Sequence, residues 1–188
     1  MTEYKLADGK EVRVAISGKS GCGNTTVSSL LAERLKVKLI NFTFRQLAEE
    51  KGMTLSEVIL NAHDDDSYDR EVDTRQVALA KKESCVLGSR LAIWMLDDAD
   101  LKVYLLADED LRARRILNRE GGDFKNIKDF TLMRDGEDTA RYKKLYGIDN
   151  TCYEDAAELV IDTGNLTPEQ ITDKILIALA EKGLIETA

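Results

Sequence analysis

The stretch that most limits how this chain can fold is residues 16–28. An apolar run at residues 12–16 reads as a buried strand, and Val27, Leu30, Leu31 and Leu35 follow at helical spacing. A glycine-rich turn joins the two. Strand, glycine turn and helix together are the setting of a phosphate-binding loop, which runs Gly, four residues, then Gly-Lys-Ser/Thr. Here Gly18-Lys19-Ser20-Gly21-Cys22-Gly23-Asn24-Thr25 meets that pattern everywhere except at position 24, where the lysine is replaced by Asn24.

Much of the loop's physics survives the replacement. Glycines let backbone N–H groups converge on an anion, and the helix adds its free N–H groups and the positive end of its dipole. Gly18, Lys19, Ser20, Gly21, Cys22, Gly23, Asn24, Thr25 and Thr26 are therefore the expected phosphate-binding residues, with the Thr25 hydroxyl available to a magnesium ion. Asn24 brings no charge, and charge-assisted hydrogen bonds are roughly twice as strong as neutral ones. Lys19, in the same loop, is the expected substitute. Cys22 at a helix start is either a low-pKa thiol or a small residue filling a tight turn; the second reading is favoured.

Strand and helix patterns alternate through the rest of the chain. Short apolar strands are expected at residues 38–41, 85–88, 101–106 and 159–162, with helices between them. Thr54 with Glu57, and Thr167 with Pro168 and Gln170, are helix-start signatures. Asp8-Gly9 suits a hairpin turn. A strand before a phosphate loop has both edges occupied, however, so residues 1–10 read as a tail or peripheral extension. Alternation implies a parallel sheet with helices on both faces. At 188 residues the chain suits one domain, with helical insertions at about 43–82 and 110–147. In the first insertion Tyr68, Val72, Arg75, Gln76 and Leu79 place polar groups within an apolar stripe, which marks a ligand-facing wall because buried polar groups need partners.

The net charge of −8 disfavours nonspecific nucleic-acid binding. No stretch has the length of a membrane span. Cys22, Cys85 and Cys152 form no paired motif, and His63 is the lone histidine. A reducing cytoplasm fits that usage, and a histidine zinc site does not.

Against this acidic background the arginines are unevenly placed. Arg45 opens the first insertion, and Arg90 follows a strand at its C-terminal end. Arg112, Arg114, Arg115 and Arg119 share one helix, with Arg134 and Arg141 beyond. Arginine suits bidentate phosphate recognition, and ligands bind at the C-terminal strand ends of open α/β sheets. Two arginine-bearing segments closing over phosphates would exclude water during transfer.

These residues resemble the short, archaeal-type cytidylate kinases of the nucleoside monophosphate kinase family. The resemblance is carried by residues 15–26, 30–34, 87–96, 112–120 and 159–163, by Phe44-Arg45-Gln46-Leu47-Ala48, and by Asp69-Arg70-Glu71-Val72-Asp73. Most specific is Arg141-Tyr142-Lys143-Lys144-Leu145-Tyr146-Gly147-Ile148-Asp149. It implies a P-loop NTPase-type five-stranded parallel sheet, with 43–82 as the monophosphate-binding insertion and 110–147 as a lid. It implies transfer of the γ-phosphoryl group of ATP to CMP or dCMP, with Mg2+. Residues 18–26 would hold ATP; Arg45, Asp73 and Arg90 would bind the acceptor. Arg114, Arg115, Arg119 and Arg141, with Lys19, would neutralise the transferring group. Residues 163–165 would lie beside the adenine. The implied partners are nucleotides alone, for a cytoplasmic monomer. Two departures stand out: Asn24, and Gly88-Ser89 where the family usually has an acidic residue and glycine before the arginine. Two other readings share this scaffold, a nucleotide-binding regulator that has lost catalysis and a kinase for another small phosphate acceptor.

Overall fold

In the computed structural model, which describes residues 3–188, five strands form one parallel sheet. They are β2 (Arg13–Gly18), β3 (Lys38–Ile40), β4 (Cys85–Gly88), β5 (Leu101–Leu106) and β6 (Leu159–Asp162), in the spatial order β3-β4-β2-β5-β6. Central β2 pairs with β4 on one edge and β5 on the other. Both its faces are covered, which is why Val14, Ala15 and Ile16 form a continuous apolar run.

On one face pack α1 (Asn24–Leu35) and α8 (Pro168–Glu181). Val27, Leu31 and Leu35 of α1 and Ile171, Ile175 and Leu179 of α8 supply the buried stripes. The other face is closed by α5 (Ala92–Met95) with Ala80 and Cys85, and by Tyr104, whose ring stacks on Tyr153. Between β3 and β4 lie α2 (Phe44–Lys51), α3 (Leu55–Asp64) and α4 (Ser67–Ala80), which share a small core of Phe42, Leu47, Ala48, Val58 and Val72. Helix α3 starts on a reciprocal cap: Thr54 N–H donates to the Glu57 carboxylate at 2.7 Å and Glu57 N–H donates to Thr54 Oγ1 at 3.2 Å. Between β5 and β6 lie α6 (Glu109–Glu120) and the long α7 (Phe124–Tyr146), which pack on each other.

The N-terminal extension adds a pairing absent from the sequence expectation. Strand β1 (Tyr4–Leu6) runs antiparallel to β7 (Ile185–Thr187), a strand not foreseen after the last helix. The turn at Asp8-Gly9 does form, closed by Lys10 N–H donating to the Ala7 carbonyl. Both edges of β2 are already taken, so β1 lies outside the main sheet and pairs with the other chain end. The first two residues lie outside the described structure.

Strand order reverses at β2, whose neighbours connect to opposite sides of the sheet. The crevice above that point, at the C-terminal strand ends, is the ligand position of open α/β sheets.

Candidate active site

A cavity of about 780 Å³ occupies that crevice. Residues 18–26 all line it, together with Asp73, Gln76, Arg90, Arg115, Arg119 and Arg134. The loop between β2 and α1 forms its floor. Gly21 there has φ +84°, and a Cβ would meet the Arg112 backbone at 2.8–2.9 Å, so only glycine fits. The N-cap of α1 is Gly23, with no side-chain cap and no acidic residue in the first turn. Among the described residues no acceptor occupies the N–H groups of Ser20, Gly21, Gly23, Asn24, Thr25 or Thr26; the first helical bond is Val27 N–H to the Gly23 carbonyl. Six free amides at a helix N-terminus are an anion cradle.

The loop carbonyls are claimed by α6. Arg112 donates to the Ser20 carbonyl at 3.2 Å, and Arg115 donates to the carbonyls of Gly21 and Cys22 at 3.3 and 3.4 Å. Arg115 also donates to Thr163 Oγ1 and to the Thr163 carbonyl at 2.9 and 2.8 Å, fastening the loop to the end of β6. Arg112 is 3% exposed and lies 2.8 Å from Asp135 of α7; the contact is an ion pair without hydrogen-bond geometry. Cys22 is buried among these groups, and burial pushes its thiol pKa up. It fills the turn rather than offering a thiolate.

A second charged network crosses from the loop to the helical insertions. Arg90 donates to Ser20 Oγ at 2.6 Å and pairs closely with Asp138 of α7. Asp138 also accepts from Arg141 at 2.7 Å, and Arg141 lies 3.5 Å from Asp69 of α4. Tyr146 donates to Asp73 at 2.8 Å. Burial raises the carboxyl of Asp69, and that of Asp73 to about 6, with the Tyr146 hydrogen bond opposing the second shift.

Of the remaining residues singled out from the sequence, Arg45 is exposed on α2 and Arg114 is exposed on α6, its guanidinium 5.9 Å from the Phe124 ring; neither lines the cavity. Arg141 reaches Asp138 and Asp69 from outside the lining. Arg119 lines the cavity and pairs with adjacent Glu120. Thr163 is buried and bonded to Arg115; Leu166, Pro168 and Ile171 line the cavity on that side. Sequence reasoning did not single out Asp135 and Asp138. Their signal is faint: buried Thr131, Asp135, Asp138, Tyr142 and Leu145 recur at helical spacing, but a polar stripe has no contrast in a mostly charged helix.

The description of the cytidylate kinase-like family matches residues 13–165. Cytidylate kinase 2 of Borreliella afzelii is 42% identical over 92% of this chain and 99% of its own length. The cytidylate kinase of Archaeoglobus fulgidus is 38% identical over 91% of this chain and 96% of its own. The chain belongs to the cytidylate kinase-like family. Among solved structures, shikimate kinase from Acinetobacter baumannii superposes with a TM-score of 0.62 at 18% identity, over 93% of this chain and 96% of that one, a likeness of fold.

In this member of the family the two sequence departures meet in space. The Asn24 side chain donates to the carbonyls of Ile16 and Ser89 at 3.1 and 3.4 Å and accepts from Ser28 Oγ at 3.0 Å. Gly88 lies directly against this group: a Cβ there would meet Ser28 Oγ at 2.5 Å and Asn24 Oδ1 at 3.1 Å. Asn24 is thus a fixed strut between β2, β4 and α1, and its donors are spent on the protein. Lys19 lines the cavity, and its ammonium group has no hydrogen-bond or ion-pair partner among the described residues. The residues present fit Mg2+ held with a nucleotide. Thr25 and Thr26 are exposed hydroxyls in the lining, and no group of three or more acidic, histidine or cysteine side chains among the described residues forms a self-contained metal cage. Magnesium is commonly held in this way, by few protein ligands, water and substrate phosphates.

Proposed function

We propose that this chain transfers the γ-phosphoryl group of ATP to CMP or dCMP. One observation carries the reading: six unpaired amides and the unpaired Lys19 face a cavity that Arg90 and Arg119 also line. The amides and Lys19 would hold the β- and γ-phosphates of ATP. The Thr25 hydroxyl would share Mg2+ with them, an ion that supplies charge neutralisation. Arg90 would bind the phosphate of the acceptor once that phosphate displaces Asp138, and Arg45 would approach it as the α2–α4 segment closes. An acceptor phosphate oxygen attacks the γ-phosphorus, the bond to the β-phosphate oxygen breaks, and ADP leaves. Such transfer depends on positioning and charge neutralisation more than on covalent chemistry. Arg119, which lines the cavity, would neutralise the equatorial oxygens. Arg115 would hold the loop rigid while serving the same charge, and Arg114 and Arg141 would join on lid closure.

Family membership and the relatives' names support this reading over a regulator without catalysis. Among the described residues no helix is long and apolar enough to cross a membrane. The acidic net charge of −8 argues against nonspecific nucleic-acid binding; the reading adopted is a cytoplasmic monomer with nucleotides as its partners.

The experiment is coupled phosphotransfer with MgATP and each nucleoside monophosphate. Turnover of CMP or dCMP is expected, and Lys19→Ala should lower kcat by about a hundredfold or more, the effect of removing one charge-stabilising group from a transition state. Absence of turnover with every monophosphate would overturn the kinase reading. Undiminished turnover in Lys19→Ala would remove Lys19 from the reaction.

A further inference from the structure

The wall formed by α4 contains a polar group that the phosphate chemistry does not use. Gln76 is 5% exposed, lines the cavity, and its carbonyl oxygen has no hydrogen-bond partner. An amide oxygen buried without a partner is unfavourable, so one on a residue that lines a cavity points to a ligand donor. Asp73 stands three residues earlier on the same helix and also lines the cavity. One of its carboxylate oxygens accepts from Tyr146, and no bond is made to the other. Residues three apart on a helix have Cβ atoms about 5–6 Å apart, a span that the two N–H bonds of one amino group can bridge. Phe42, Phe44 and Val72 give the same cavity flat apolar surface beside this pair.

We propose that Gln76, together with Asp73, reads the exocyclic amino group of the acceptor base and so selects cytosine over uracil. The inference rests on the kinase reading above and adds the specificity determinant. Cytosine presents two donors at N4, matching two acceptors. Uracil presents an acceptor oxygen there. Rotating the Gln76 amide relieves one clash, but the Asp73 carboxylate still opposes the uracil oxygen. Sites built to hydrogen-bond a substrate group reject analogues lacking it far more strongly than apolar pockets do.

The test pairs turnover with calorimetric binding of CMP, UMP and the monophosphate of pyrimidin-2-one riboside, which keeps the cytosine ring but has hydrogen in place of the amino group. Wild type should favour CMP over both others by about tenfold or more, and Gln76→Met should lower kcat/KM for CMP at least tenfold more than for UMP. Binding of CMP without turnover would overturn the kinase reading and leave the base preference to be read from affinities. Equal affinity or turnover for CMP and the pyrimidin-2-one analogue on wild type would overturn this inference even if Gln76→Met does not fold. So would an equal loss for CMP and UMP in a folded Gln76→Met.

Discussion

Asn24 shows how one side chain can leave a motif without dismantling it. The position that carries a lysine in the phosphate-loop pattern holds an amide whose donors go to Ile16 and Ser89 and whose acceptor is met by Ser28. That exchange changes what neighbouring residues must be: Ser89 contributes only its carbonyl to Asn24, and Gly88 must lack a Cβ to leave room. Asn24→Ala would leave the buried Ser28 hydroxyl without its partner, while the Ile16 and Ser89 carbonyls keep the bonds they accept from Ser89 N–H and from Ser17 Oγ. The cost of leaving buried groups unpaired is about 1–3 kcal/mol. The expected outcome is a loss of that size in urea unfolding, with the sheet retained by circular dichroism. The departure was visible in the sequence. Its function as a strut was not, because the partner carbonyls come from strands far apart in the chain.

At the scale of elements, α6 and α7 act on the phosphate loop through charge. Arg112 and Asp135 are both buried, one holding the Ser20 carbonyl and the other holding Arg112. Removing one member of a buried pair strands the other, at a cost of about 3–5 kcal/mol. Asp135→Ala is therefore expected to lower stability by about that amount, measured by chemical denaturation. MgATP affinity should fall with it, because the loop carbonyls lose their clamp. The sequence marked the arginine cluster on α6 as a candidate phosphate site. The structure divides it: Arg112 and Arg115 hold the loop, Arg119 lines the cavity, and Arg114 lies against Phe124. Helical spacing alone cannot make that division. Only the direction from which α6 meets the loop sets which side chains point inward.

For the molecule as a whole, the cavity carries a pH dependence into stability. Burial raises the Asp73 carboxyl to about 6, against an ordinary value near 4. Between those values the folded protein holds a proton that the unfolded chain has lost. Raising the pH across that window therefore favours unfolding. Asp73→Asn removes the group, so the variant should equal wild type in stability near pH 4 and exceed it at pH 7, by on the order of 2 kcal/mol. Urea titrations at the two pH values measure the difference. Asp69, also raised by burial, adds to the same trend in both proteins. The stability given up above pH 6 is the cost of keeping a buried carboxylate in the cavity wall.

Period and punctuation along the chain determined the alternation of strand and helix, the parallel sheet, the loop after β2 and the caps of α3 and α8, because each depends on residues within a turn or two of one another. Tertiary structure alone decided the rest. The partner of β1 lies at the other chain end, Tyr4 opposite Thr187 and Leu6 opposite Ile185, and no local pattern encodes which free edge meets which. The same holds for Arg90 with Asp138 and for Tyr146 with Asp73. A charged or aromatic side chain announces its capacity to pair, while its partner is chosen by the packing of whole helices on the sheet.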